Sequence, residues 1–113
     1  MSAVDKLYSI NNKTQQKSVN IDDSLYVKII NLTKTKYDAT VSELINICIE
    51  EYIEKNIITY YAKPKNESVT YRSIMIREKN FNWLKKANKQ TGISVTRLIN
   101  AAIKQFIDNN KEK

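Results

Sequence analysis

The chain has no histidine, one cysteine, one glycine and one proline in 113 residues. Without histidine it lacks the commonest acid–base catalyst and a usual zinc ligand. The single thiol, Cys48, excludes an intrachain disulfide, and its place in an apolar stripe of helical spacing makes a buried, inert side chain the expectation. So little glycine and proline disfavours a turn-rich all-β fold and favours helices. There is no paired-carboxylate constellation and no glycine-rich phosphate loop. The expectation is therefore a protein that is not an enzyme, with no catalytic residues, no metal, no cofactor and no small-molecule substrate. No apolar run is long enough to span a bilayer, and the opening MSAVDKLYSINNKTQQK lacks the apolar core of a signal peptide. A cytoplasmic protein with no membrane partner is expected.

What is abundant is positive charge, and it is unevenly placed. Residues 1–56 carry seven Lys against eight Asp and Glu, whereas residues 57–113 carry nine Lys and three Arg against four Asp and Glu. The net +7 thus resides in the second half. A small basic chain without catalytic equipment points to a polyanionic partner, most often nucleic acid.

The chain also repeats itself. TVSELINICIEEYI from Thr40 aligns without a gap with SVTRLINAAIKQFI from Ser94, at a spacing of 54. Each segment follows an amphipathic polar stretch, and before that a short alternating run, Ser18-Val19-Asn20-Ile21 or Ser73-Ile74-Met75-Ile76. The unit is strand, helix, helix. Each half has about 50 residues, too few to bury a core comfortably alone, so the two should share one.

In the first copy a strand is expected over 17–21, with Val19 and Ile21 inward. Asp22-Asp23-Ser24 offers capping chemistry for a helix over 25–34 that buries Leu25, Tyr26, Ile29 and Leu32. Thr40 and Glu43 form a capping-box pattern for a second helix, with Val41, Leu44, Ile45, Cys48 and Tyr52 on its buried face. Ile47, Ile49 and Ile53 widen that stripe beyond one partner and are a candidate surface for self-association. In the second copy a strand over 71–76 puts Ile74 and Ile76 inward. A helix over 80–90 buries Phe81, Leu84 and Ala87, and Gly92 follows it where a left-handed residue ends a helix. Ser94 caps a last helix over 95–107, which buries Val95, Leu98, Ile99, Ala102, Ile103 and Phe106. Strand and first helix align at a spacing of 55, so the first copy has one extra residue between its helices. The organisation reads as a flexible arm at 1–15, repeat 1 at 16–56, a linker at 57–70, repeat 2 at 71–108 and a frayed tail at 109–113.

These residues resemble the ribbon-helix-helix DNA-binding proteins. Gly92-Ile93-Ser94-Val95-Thr96-Arg97-Leu98-Ile99 matches that family's turn into the second helix, and the first copy departs from it with Tyr37-Asp38-Ala39 in place of the glycine turn. The resemblance covers about 16–56 and 70–108. It implies a mainly α fold with a short two-stranded antiparallel ribbon, here a tandem pseudo-dimer on one chain, with the ribbon in the major groove of double-stranded DNA. Ser18, Asn20, Ser73 and Met75 would read bases, with Gln16 and Tyr71 at the ribbon ends; Asn20 suits adenine and Met75 a thymine methyl. Lys17 and Arg72 have inward parity but long side chains that can curl to phosphate at the strand edges. The starts of the second helices, Thr40, Val41 and Ser42 in one copy and Ser94, Val95, Thr96 and Arg97 in the other, would hold phosphates. Arg97 stands where the first copy has Glu43, so the second clamp should be tighter.

The expected function is a sequence-specific transcriptional regulator, a repressor occluding a promoter. Because the two strands carry different outward residues, one chain should recognise an asymmetric subsite. The alternatives are a plasmid transfer or partition accessory protein, or a protein–protein module that keeps the fold without DNA binding. Tandem chains of this family occur among conjugation accessory factors and regulators of archaeal viruses, and an Asn-, Ile- and Lys-rich composition suits an A·T-rich viral or plasmid genome. An antitoxin is disfavoured, because the chain ends soon after its last helix.

Overall fold

The computed structural model describes residues 13–37, 39–56, 58 and 67–110. The expected arm (but for residues 13–15), most of the expected linker and the last three residues lie outside this range. Among the described residues the fold is mainly helical, with four helices and one two-stranded antiparallel sheet. In chain order the elements are β1 (Thr14–Asp22), α1 (Asp23–Thr35), α2 (Val41–Lys55), β2 (Val69–Arg77), α3 (Glu78–Thr91) and α4 (Val95–Asn110).

Both strands are longer than their apolar alternation indicated, because pairing continues past the buried residues. Ser18 pairs with Ser73, Val19 with Arg72, Lys17 with Ile74, Gln16 with Met75 and Asn20 with Tyr71. Ser18 and Ser73 are equivalent at the repeat spacing of 55, so the ladder is centred on the two copies of one position. Thr14 and Gln15 belong to the strand rather than to an arm, and α4 runs through Asn109 and Asn110. The α1–α2 connection has five residues and the α3–α4 connection three, with α3 one residue longer than α1.

Strand parity separates two faces. Val19, Ile21, Ile74 and Ile76 are buried, while Gln16, Ser18, Asn20, Tyr71, Ser73 and Met75 are exposed. Below the ribbon the core is built from Leu25, Ile29, Leu44, Ile45, Cys48, Ile49, Tyr52, Leu84, Leu98, Ile99, Ile103 and Phe106. Helices α2 and α4 pack on each other more extensively than any other helix pair. Tyr26, Leu32, Val41, Phe81 and Val95 reach only the margin of this core, half-buried. Ile49 is fully buried at 0% exposure. The expected self-association face therefore loses its middle residue, leaving Ile47 exposed and Ile53 half-buried. The reason is that α2 is covered on more than one side within the chain, by α4, α1, α3 and β2.

Local signals set the helix ends. Thr40 and Glu43 form the reciprocal capping box, Thr40 N–H to Glu43 Oε1 at 3.0 Å and Glu43 N–H to Thr40 Oγ1 at 3.1 Å. Ser94 Oγ accepts from Arg97 N–H at 3.2 Å, and Gly92 takes φ 79° at the end of α3. The acidic cap expected at Asp22–Ser24 is different: Asp22 is the N-cap residue but makes no side-chain capping bond. Asp23 instead turns to the other half, accepting from Ser68 Oγ at 2.7 Å, Thr70 Oγ1 at 2.8 Å and Arg72 at 3.0 Å.

The halves are tied by bonds that recur at the repeat spacing. Asp23 N–H donates to Ser68 O at 2.9 Å, and its equivalent Glu78 N–H donates to Lys13 O at 2.8 Å. Asn46, on α2, donates to Met75 O at 2.8 Å and accepts from Arg77 N–H at 2.9 Å. Its equivalent on α4, Asn100, donates to Asn20 O at 3.0 Å and accepts from Asp22 N–H at 3.0 Å. Each second helix thus holds the strand of the opposite half. Both carboxamides are 3% exposed, so deleting either leaves part-buried or buried strand groups without these partners, at about 1–3 kcal/mol. Asn46→Ala and Asn100→Ala should each lower the urea unfolding free energy by about that amount. Asn46→Ala should cost more, because Asn80 also donates to Asn46 Oδ1, at 3.1 Å. Unchanged unfolding curves would show that these bonds do not hold the halves together.

Candidate nucleic-acid interface

The outer face of the ribbon exposes a row of side chains from both strands. Three cross-strand pairs run along it: Gln16 with Met75, Ser18 with Ser73, and Asn20 with Tyr71. Tyr71 is 69% exposed and Met75 42%, high values for large side chains in paired strands. The Gln16 amide donates to Ser73 Oγ, which fixes the carboxamide against the middle of the ribbon. All six expected base-reading residues therefore share one face.

Lys17 and Arg72 do not lie on that face. They are equivalent at the repeat spacing, and each is drawn inward over a ring on the first helix of the opposite half. Lys17 Nζ sits 4.5 Å from the Phe81 ring centre, and the Arg72 guanidinium 3.6 Å from that of Tyr26. Arg72 also pairs with Asp23 at 3.0 Å. What the fold assembles here is a cation stacked on an aromatic ring, a contact that holds ribbon to helix.

The second-helix starts flank the ribbon. Helix geometry leaves the amides of Val41 and Ser42, and those of Val95 and Thr96, without intrahelical partners. At α2 the Ser42 hydroxyl accepts from Met75 N–H at 3.1 Å, tying the helix start to the strand. At α4 a concavity of about 250 Å³ opens between Asn20 and Val69 of the ribbon and Ser94, Thr96, Arg97 and Asn100 of the helix, with Asp22 in its wall. A partly positive helix end, two hydroxyl-bearing residues and the Arg97 side chain thus line one hollow, with Asp22 beside them. The corresponding charge at α2 is Glu43, occupied in the capping box. A second concavity, of about 260 Å³, lies between α2 and α3, where Glu50, Glu54 and Lys79 mix their signs beside Ile53 and Trp83. Its lining favours neither anion nor cation.

Several further residues shape the site. Asn46 and Asn100 position the strand edges, and their signal was present: the same polar residue recurs in both copies inside a buried apolar stripe. Arg77, at one end of the ribbon, is held by Glu50 at 2.5 Å, and Asn80 donates to the same Glu50 oxygen at 3.0 Å. Nothing in the local pattern marks that cluster, since the equivalent positions in the first copy are Asp22 and Leu25. Among the described residues no cluster of His, Cys, Asp and Glu could hold a metal ion. None of the described helices is long and apolar enough to cross a membrane.

Three carboxylates have pKa values below their ordinary ones. Hydrogen bonds from Ser68 and Thr70, and then Arg72, lower Asp23 from 3.8. The Thr40 backbone and side-chain hydrogen bonds lower Glu43 from 4.5. Burial works against ionisation of Glu50, but bonds from Arg77 and Asn80 outweigh it and bring it below 4.5. Burial pushes the Cys48 thiol up, which keeps it protonated and unreactive. A carboxylate with a depressed folded pKa binds fewer protons folded than unfolded, so its stabilisation is complete above the unfolded value. Stability should therefore be flat above about pH 5 and fall as pH drops through 4 and below. Asp23→Asn should flatten part of that acid limb, as read by urea midpoints at pH 7, 5, 4 and 3.

Comparison with protein-family models, with curated proteins and with solved structures finds no match to this chain.

Proposed function

We propose that the chain is a tandem ribbon-helix-helix protein, a covalent pseudo-dimer that binds double-stranded DNA in a sequence-specific way and regulates transcription, by occluding a promoter as a repressor. The observation that carries this reading is the ribbon register. Two repeat-equivalent serines face each other at its centre, and a continuous exposed row of hydrogen-bonding and apolar side chains covers its outer face.

The physics of such a ribbon supports the reading. Two strands about 5 Å apart, with outward side chains, fit a major groove about 12 Å wide. Inward residues hold the ribbon on its helices, so the outward ones remain available to base edges. The amides opening α2 and α4 would then meet the phosphates on either side, with the tighter grip at Arg97. The positive charge of the second half supplies the long-range attraction.

The protein–protein alternative rests on Val27 and Ile47, 55% and 36% exposed on α1 and α2. Binding to duplex DNA at varied salt separates the two. If about four to six phosphates are held, affinity should fall roughly 10²- to 10³-fold between 50 and 200 mM salt. Arg97→Ala should weaken binding to every sequence alike and reduce the salt slope by about one. Asn20→Ala should relax preference at a defined base position, and selection of duplexes from a random pool would reveal it. Absence of any salt-dependent duplex binding would favour the protein–protein module.

A further inference from the structure

Resting on the reading of the ribbon as a major-groove element, we propose that the chain reads two A·T base pairs set in the same orientation. Their adenines lie on one DNA strand and their thymines on the other, across a permissive centre. The argument begins with the register. Gln16 lies across from Met75, and Asn20 across from Tyr71, with Ser18 and Ser73 between them. Both carboxamides therefore belong to β1, and both large apolar side chains belong to β2.

An A·T pair displays an acceptor and a donor on adenine, N7 and N6, and beyond them the thymine methyl. A carboxamide carries the matching donor and acceptor, and a thioether or aromatic ring buries the methyl. Each of the two cross-strand pairs thus presents the complement of one A·T edge. Guanine, with two acceptors, is best met by Arg or Lys, and none of these six outward positions is cationic. The Gln16 amide spends one N–H on Ser73 Oγ and keeps a second N–H and its carbonyl for the base.

Orientation follows from which strand carries which group. A ribbon lying along the groove sets β1 toward one wall and β2 toward the other. At both ends, then, adenine falls on the β1 side and thymine on the β2 side. Under the repeat spacing Gln16 is equivalent to Tyr71 and Asn20 to Met75, so two like strands would have read a two-fold symmetric sequence. These strands have opposite chemistry and demand a directional one. Gln16 and Asn20 are four residues apart, about 13–14 Å along the strand. Base pairs step about 3.4 Å along the helix axis and further along the inclined groove, which places the two A·T pairs roughly two to four base pairs apart.

The test uses the full chain and the duplex it enriches from a random pool, resynthesised in three forms. Replacing thymine by deoxyuracil at the two positions should weaken binding roughly fourfold per methyl, the value of about one buried methyl group. Inverting the A·T pair beneath Asn20 and Tyr71 should weaken it about tenfold or more. The double exchange Asn20→Tyr with Tyr71→Asn, at two exposed positions, should reverse that orientation preference, with circular dichroism confirming the fold. Deoxyuracil binding equal to thymine, a palindromic enriched site, or a folded exchange variant that keeps the original orientation would each overturn the inference while leaving DNA binding intact. A chain that binds no duplex would overturn the underlying function as well.

Discussion

Two buried carboxamides, those of Asn46 and Asn100, are the contacts on which the rest of the structure depends. A two-stranded ribbon has two edges and no further strand to cover them, so its outward N–H and C=O groups need partners wherever helices bury them. An Asn side chain supplies a donor and an acceptor on one rigid plane. Asn46 joins Met75 O and Arg77 N–H, and Asn100 joins Asn20 O and Asp22 N–H. Each also donates to the carbonyl one turn earlier in its own helix, Ser42 O or Thr96 O. The start of each second helix is thereby fixed relative to the strand of the opposite half.

These bonds cross between the halves. So do the Asp23–Ser68 and Glu78–Lys13 backbone bonds and the stacking of Lys17 on Phe81 and Arg72 on Tyr26. Neither half can satisfy its strand or its inward cation from within itself. The core shows the same dependence, since α2 and α4 form its most extensive helix–helix contact. Folding of one half without the other would leave apolar faces and polar edges both uncovered.

Within this shared plan the copies differ in chemistry. On the α2 side, Glu50, Arg77 and Asn80 form a polar cluster with Asn46. At the equivalent positions the other side has Lys104, Asp22 and Leu25. Lys104 pairs instead with Asp108 on its own helix, at 2.7 Å. Such exposed i, i+4 pairs contribute only a few tenths of a kcal/mol. Glu43 closes a capping box at one helix start, while Arg97 opens toward a concavity at the other. The two flanks of the ribbon thus differ in charge as well as in shape.

The sequence alone determined the element types, their order and the buried parity of both strands, because a two-residue or 3.6-residue periodicity is a local property of the chain. It also determined the Thr40–Glu43 and Ser94 caps and the left-handed Gly92. What it could not determine is who covers whom. The register, the burial of Ile49, the inward draw of Lys17 and Arg72, and the turning of Asp23 toward Ser68 and Thr70 all depend on residues from the opposite half. The repeated Leu-Ile-Asn triplet was visible in the chain, but its asparagines gained a role only when each met a strand distant in sequence, 29 residues away for Asn46 and 80 for Asn100. Local spacing decides which side of an element is apolar, whereas only tertiary packing decides which polar edge lies near enough to be satisfied.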